Sequence, residues 1–185
     1  MRLALSLVLL VGCSSSETTP SVSVSFRFEG AFRGVRSFVE SDGQEPGGPR
    51  IACIRNGDRV MISAVKNYGQ THGPGLYLRV AHFTGPARYD FAGDDRAWAF
   101  DDGHIQLCTR AGDRDCYQGS AGCVVQVDAW TVGPGDGSLP PGVLVGEAWG
   151  TFSCASLSNA IAGASVAVQD GAFRCRAEDW TAAGR

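Results

Sequence analysis

Six carboxylates sit in pairs within polar, turn-rich stretches: Asp94-Asp95, Asp101-Asp102, and Asp113 with Asp115. Calcium takes several oxygen ligands from flexible loops, so carboxylates gathered at one end of a sheet suit it, and calcium is the one cofactor the residues suggest. Turn chemistry competes with that reading, because aspartate before glycine is favoured in turns and no segment has EF-hand spacing. Nucleophilic catalysis has less to stand on. No Gly-x-Ser-x-Gly occurs, Gly119-Ser-Ala-Gly122 is a small-residue loop, and His72-Gly-Pro-Gly75 has only the outline of an oxyanion-hole loop. His72 lies in a loop, while His82 and His104 fall on expected strands, where a hydrogen-bonded structural histidine is commoner than a ligand. No catalytic residue is assigned. Trp98, Trp130, Trp149 and Trp180 offer flat apolar surface to a sugar ring or a partner protein. By simple alternation Trp130 faces away from Cys123, Val125 and Val127. Trp130, Asp94, Asp95, Asp101 and Asp102 are therefore the candidate ligand-facing residues. Arg27, Arg33 and Arg36 form a further candidate patch for an anionic ligand, or a solvated strand face.

The amino terminus carries a different kind of chemistry. Arg2 supplies a positive start, residues 3–11 are almost unbrokenly apolar, and the run closes on Leu10-Val11-Gly12-Cys13. A permanent membrane span needs about 20 apolar residues, so this run is an export signal. Its last four residues resemble the lipobox of bacterial lipoproteins. The resemblance implies cleavage before Cys13, a diacylglycerol on its thiol, and an acyl chain on the new amino terminus. The lipid bilayer is then a partner, since anchors of two or more chains hold stably. Residues 14–21 read as a flexible polar tether. Ser14 is not the aspartate of an inner-membrane retention signal, so the expected place is the cell envelope, at the outer membrane or cell surface. An ordinary secretory signal with a chance cysteine is the competing account.

Without residues 1–12 the chain holds 16 − 1 = 15 basic and 19 acidic side chains, a formal charge of 15 − 19 = −4. A nucleic-acid backbone needs a basic face, so nucleic acid is not an expected partner. Seven cysteines become six once Cys13 is assigned to lipid: Cys53, Cys108, Cys116, Cys123, Cys154 and Cys175. An even set in an exported chain favours three disulfides, and neither the spacing nor the compartment fits zinc. The expected first bridge is Cys154 to Cys175, because each closes a similar segment, GTFSC and GAFRC, as neighbouring strands would. Such a loop closure stabilises a fold by about 3 kcal/mol. A second pair is expected among Cys108, Cys116 and Cys123, with Cys53 taking the third member.

These residues need a scaffold, and its period is two. Residues 22–28 alternate apolar and polar without a fault. Residues 50–65 read as two strands turning at Asn56-Gly57. Further strands are expected over 76–83, around Tyr89 and Phe91, over 97–100 and 104–108 as a hairpin, and over 123–132, 143–154 and 166–175, the last turning at Asp170-Gly171. Loops fall at 41–49, 67–75 and 133–142, and only 157–162 hints at a helical turn. Regularly spaced short strands predict an all-β, antiparallel β-sandwich or open barrel in a single domain. The expected division is a signal at 1–12, lipidated Cys13 and tether at 13–21, the β-domain at 22–176 and a tail at 177–185.

From Leu76 to Arg176 the succession of GPxxY, DDGHIQLC, GTFSC and VQDGAFRC is similar to small bacterial lipoproteins of uncharacterised function. That resemblance implies a β-sandwich and surface anchoring and brings no catalytic residues. The expected function is a non-enzymatic binding or structural module with a protein or glycan partner. An envelope hydrolase with an unrecognised site is the alternative.

Overall fold

The computed structural model describes residues 21–40, 49–66, 75–91, 103–109, 116–119, 121–135 and 137–183. Among them are eleven strands: β1 (Ser23–Gly30), β2 (Gly34–Val39), β3 (Pro49–Asn56), β4 (Arg59–Lys66), β5 (Gly75–Val80), β6 (Ala87–Phe91), β7 (His104–Cys108), β8 (Cys116–Gly119), β9 (Cys123–Pro134), β10 (Leu144–Asn159) and β11 (Ala164–Asp179). The chain is all-β, as its period of two requires. The strand order is β2-β1-β11-β3-β4-β5-β7-β8-β10-β9-β6, and β10 also pairs with β11. That extra pairing closes a ring of β11, β3, β4, β5, β7, β8 and β10. It leaves β1–β2 and β9–β6 as flanking pairs on either side of the β10–β11 ribbon. Every pairing is antiparallel except β11–β3, where Ala177 lies beside Cys53 in parallel register.

One core fills this frame, with side chains from β1, β3, β4, β5, β7, β9, β10 and β11 in a single buried cluster. Phe26, Phe83, Ile62, Leu76, Leu78, Ile105 and Leu157 are its largest fully buried members. Each such side chain stabilises the fold by about 1.5–3 kcal/mol on burial. The core lies between Val24 and Ala177, so a chain beginning at Ser21 keeps all of it.

The ribbon explains the two similar segments. Gly150 stands opposite Phe173, and Phe152 opposite Gly171, so each phenylalanine ring lies over the other strand's glycine. A Cβ on Gly150 would lie 2.9 Å from Phe173 Cζ, and one on Gly171 2.6 Å from the Phe152 ring. The repeats therefore run past each other, which puts Cys154 opposite Val168 and Cys175 opposite Ala148. The two cysteines are too far apart along the ribbon to join, and the expected Cys154 to Cys175 bridge does not form. Each reaches outward instead: Cys175 bonds Cys53 on β3, and Cys154 bonds Cys123 directly across on β9. The third bridge joins Cys108 and Cys116 across β7 and β8. A pair within the Cys108, Cys116 and Cys123 set forms as expected, but Cys53 takes Cys175 and not the third member.

Other departures are local. The expected turn at Asp170-Gly171 is a bulge inside a continuous strand. Two residues, Gln169 and Asp170, face outward between buried Val168 and Gly171, and Asp170 adopts φ 50°. The hairpin of β3 and β4 turns at Gly57-Asp58, one residue later than Asn56-Gly57, with Asn56 still paired to Arg59. In place of a helical turn over 157–162, β10 runs to Asn159, whose Oδ1 accepts hydrogen bonds from the N–H groups of Ile161 (3.0 Å) and Ala162 (2.9 Å). Strand β11 continues to Asp179 with Ala177 fully buried, so the sheet extends past the expected domain end at 176. Trp180 then donates its N–H to Arg55 O at 2.8 Å. The expected strand over 97–100 lies outside the described residues.

Candidate functional site

Strands β6, β9, β10, β11, β1 and β2 present an outward face. One cross-strand row runs its whole width: Arg88, Gln126, Thr151, Ala172, Ser25 and Ser37 stand opposite one another in turn. The row passes from the long side chains of arginine and glutamine to the short ones of threonine, alanine and serine. With Ser153 and Val124 in the next row, the small residues floor an open groove of about 340 Å³. Arg88 walls one side and Asp170 the other. The bulge is what raises Asp170 out of the sheet, since it turns two consecutive side chains of β11 outward.

Three arginines of this face are paired with carboxylates. Arg88 grips Asp90 with a fork, Nη2 to Oδ1 at 2.7 Å and Nε to Oδ2 at 2.9 Å, and that hydrogen-bonded pairing holds the Asp90 carboxyl below its usual range. Arg27 meets Asp170 at 2.8 Å and donates to Gln169 Oε1 at 3.0 Å. Arg174 meets Glu147 at 2.6 Å and lies 5.1 Å over the Trp149 ring. Thr151 and Ser153 are both exposed on the groove floor, so their hydroxyls face the opening. The groove therefore offers oriented donors, acceptors and two open hydroxyls without a strong net charge.

The sequence-derived candidates scatter. Trp130 faces the core: Asp128 is an extra residue between Val127 and Ala129, a bulge that reverses the alternation, and Trp130 packs 5.2 Å from the Phe83 ring. Its Nε1 is buried without a hydrogen-bond partner among the described residues. Cys13, Asp94, Asp95, Asp101, Asp102, Asp113, Asp115, His72 and Trp98 lie outside the described residues. Among the described residues no group of three or more histidine, cysteine or acidic side chains is placed to hold a metal.

The three arginines do not form one patch. Arg27 points outward beside Asp170, Arg36 lies across from core-facing Phe26, and Arg33 precedes β2. His82 is off the expected strand, at φ 54° after β5, with Nδ1 3.2 Å from Asp58 Oδ2. His104 is on β7 opposite Arg79, and burial with the nearby guanidinium lowers its pKa to about 4. The GPxxY turn is closed by the Tyr89 hydroxyl, which accepts from the N–H groups of Thr84 (3.1 Å) and Gly85 (3.2 Å).

The groove was not visible in the sequence. Thr151, Ser153 and Ala172 read as the solvated phase of two strands, and only the register brings them beside Arg88 and Asp170. Neither a protein-family model, a curated protein nor a solved structure matches this chain.

Proposed function

We propose that the chain is an envelope lipoprotein, held to the bilayer through acylated Cys13, whose β-domain binds a neutral polar ligand of the glycan class. The single observation that carries the binding assignment is the groove floored by Thr151, Ser153 and Ala172 and walled by Arg88 and Asp170, which are paired with Asp90 and Arg27. A sugar hydroxyl both donates and accepts, and a fixed guanidinium–carboxylate pair offers it one partner of each kind. An anionic ligand would compete with Asp90 and Asp170 for the arginines, so the matched charges favour a neutral one. Open grooves with a few oriented polar groups are ordinary binding sites. The lipid assignment is supported by Leu10-Val11-Gly12-Cys13 behind a short apolar run.

The two halves are tested separately. A chain beginning at Ser21, melted with a panel of neutral oligosaccharides and cell-wall fragments, should gain several degrees with one class. Saturation at 100 times Kd adds about 2.7 kcal/mol. Thr151→Arg fills the groove floor and should abolish the shift while leaving the unliganded melting point in place. No shift across the panel overturns the glycan assignment. For the anchor, cells grown with an alkyne-bearing fatty acid should label the native chain and not Cys13→Ser.

A further inference from the structure

The two ends of the strand order are unlike. Strand β6 at one end is short, five residues, and carries the charged Arg88–Asp90 pair, which discourages further pairing. Among the described residues, strand β2 at the other end pairs with β1 alone, in unbroken register from Gly34 to Val39. It holds no lysine, proline or bulge, and its one charge, Arg36, stands on the inner side of the strand across from Phe26. Its outward side chains are Val35, Ser37 and Val39, and the valines are 72% and 49% exposed. Only Ile161 joins them as an exposed large hydrophobic among the described residues.

From this we infer that β2 is a self-association edge, and that its occupant is β2 of a second copy, antiparallel, with Ser37 opposite Ser37. The sequence GVRSFV is self-complementary about that serine. A two-fold axis through Ser37 places Val35 of each copy across from Val39 of the other, and it keeps both pairs on the outer face, because residues directly opposite share a side. Sliding by one residue per copy one way would set Arg36 against Arg36, like charges directly opposite, and sliding the other way would set Phe38 against Phe38 and Val39 against Ser37, so either slide breaks the valine pairs. The apolar pairs select the Ser37 register, and the charge excludes one of its two neighbours. Backbone N–H and C=O groups along the free edge supply the hydrogen bonds, as in β-augmentation. The same axis prolongs the row from Arg88 to Ser37 into the matching row of the second copy. The pairing itself does not rest on the groove having a ligand.

A six-residue edge is a small interface, so association is expected between about 10 µM and 1 mM. Sedimentation equilibrium of the chain beginning at Ser21 should show its average mass rising toward twofold over that range. Val35→Lys with Val39→Lys should hold it at one chain throughout, with the melting point unchanged. Ser37→Cys should give a chain-to-chain disulfide, seen at doubled mass on a non-reducing gel, because the axis sets residue 37 against its own copy. A native chain that stays monomeric at 1 mM overturns the inference and leaves the edge to a strand of another protein. A dimer unaffected by the two lysines, or one that Ser37→Cys fails to link, overturns the edge or the register.

Discussion

The β10–β11 ribbon and the β2 strand lie in the same sheet with only β1 between β2 and β11, yet they are specified very differently. The ribbon is fixed several times over: neighbours on both sides, reciprocal glycine–phenylalanine pairs, and two disulfides leaving in opposite directions. Among the described residues strand β2 has one hydrogen-bonded neighbour, no disulfide, and Phe38 as its one buried side chain. Membership of one sheet is therefore no measure of constraint. What matters is how many independent contacts agree on one register, and a strand short of them keeps freedom to accept a partner.

Removing the ribbon's outward anchor should have the largest effect. Cys53→Ala with Cys175→Ala opens a bridge of sequence separation 122, against 8 for Cys108 and Cys116. Loop entropy sets these at about 5 and about 2.5 kcal/mol, and urea midpoints of the two double variants should follow that order. Peptide mapping without reduction should recover Cys53 linked to Cys175. A Cys154 to Cys175 peptide would break the account of the ribbon.

Next comes Gly150→Val, whose side chain has no room between Gln126 O and the Phe173 ring. It should cost about 3 kcal/mol in the same measurement. A loss near zero would mean the ribbon is less tightly packed than its glycines imply.

The pH dependence is smaller. His104 folds with a pKa of about 4 against an ordinary 6.5, so the unfolded chain binds more protons between those values. Its contribution is complete above about pH 6.5 and declines as pH falls through 4. His104→Gln should flatten that part of a melting-point profile. At the edge, the paired lysines at Val35 and Val39 should change stability by less than about 0.5 kcal/mol, because both valines are already exposed. A large loss there would show that β2 is held more firmly than its contacts suggest.

The legible part of the fold was its period. Alternation in residues 22–28 and 123–127 gave strands with the right faces, and the even count of cysteines gave three bridges. Parity failed wherever an extra residue entered a strand, since one residue reverses every side chain beyond it. Asp128 turned Trp130 from solvent to core in this way, and Asp170 looked like a turn because Asp-Gly is a turn dipeptide in isolation. Similarity between GTFSC and GAFRC correctly implied adjacent strands. It could not say that antiparallel repeats carry their last residues apart, and so it named the wrong bond. The groove depends on register across β6, β9, β10 and β11, which no local pattern encodes.

The position of β11 also has a bearing on timing. It is the last strand in the chain, yet it is the hydrogen-bonding neighbour of β1 and β3, and its Cys175 is the partner of Cys53. The earliest strands can pair with β2 and β4 beforehand, but the ring cannot close until β11 arrives. Contacts of such long sequence separation make folding slow, and the covalent link between the halves forms more slowly still. A chain emerging amino terminus first therefore cannot complete this ring until its last strand is free.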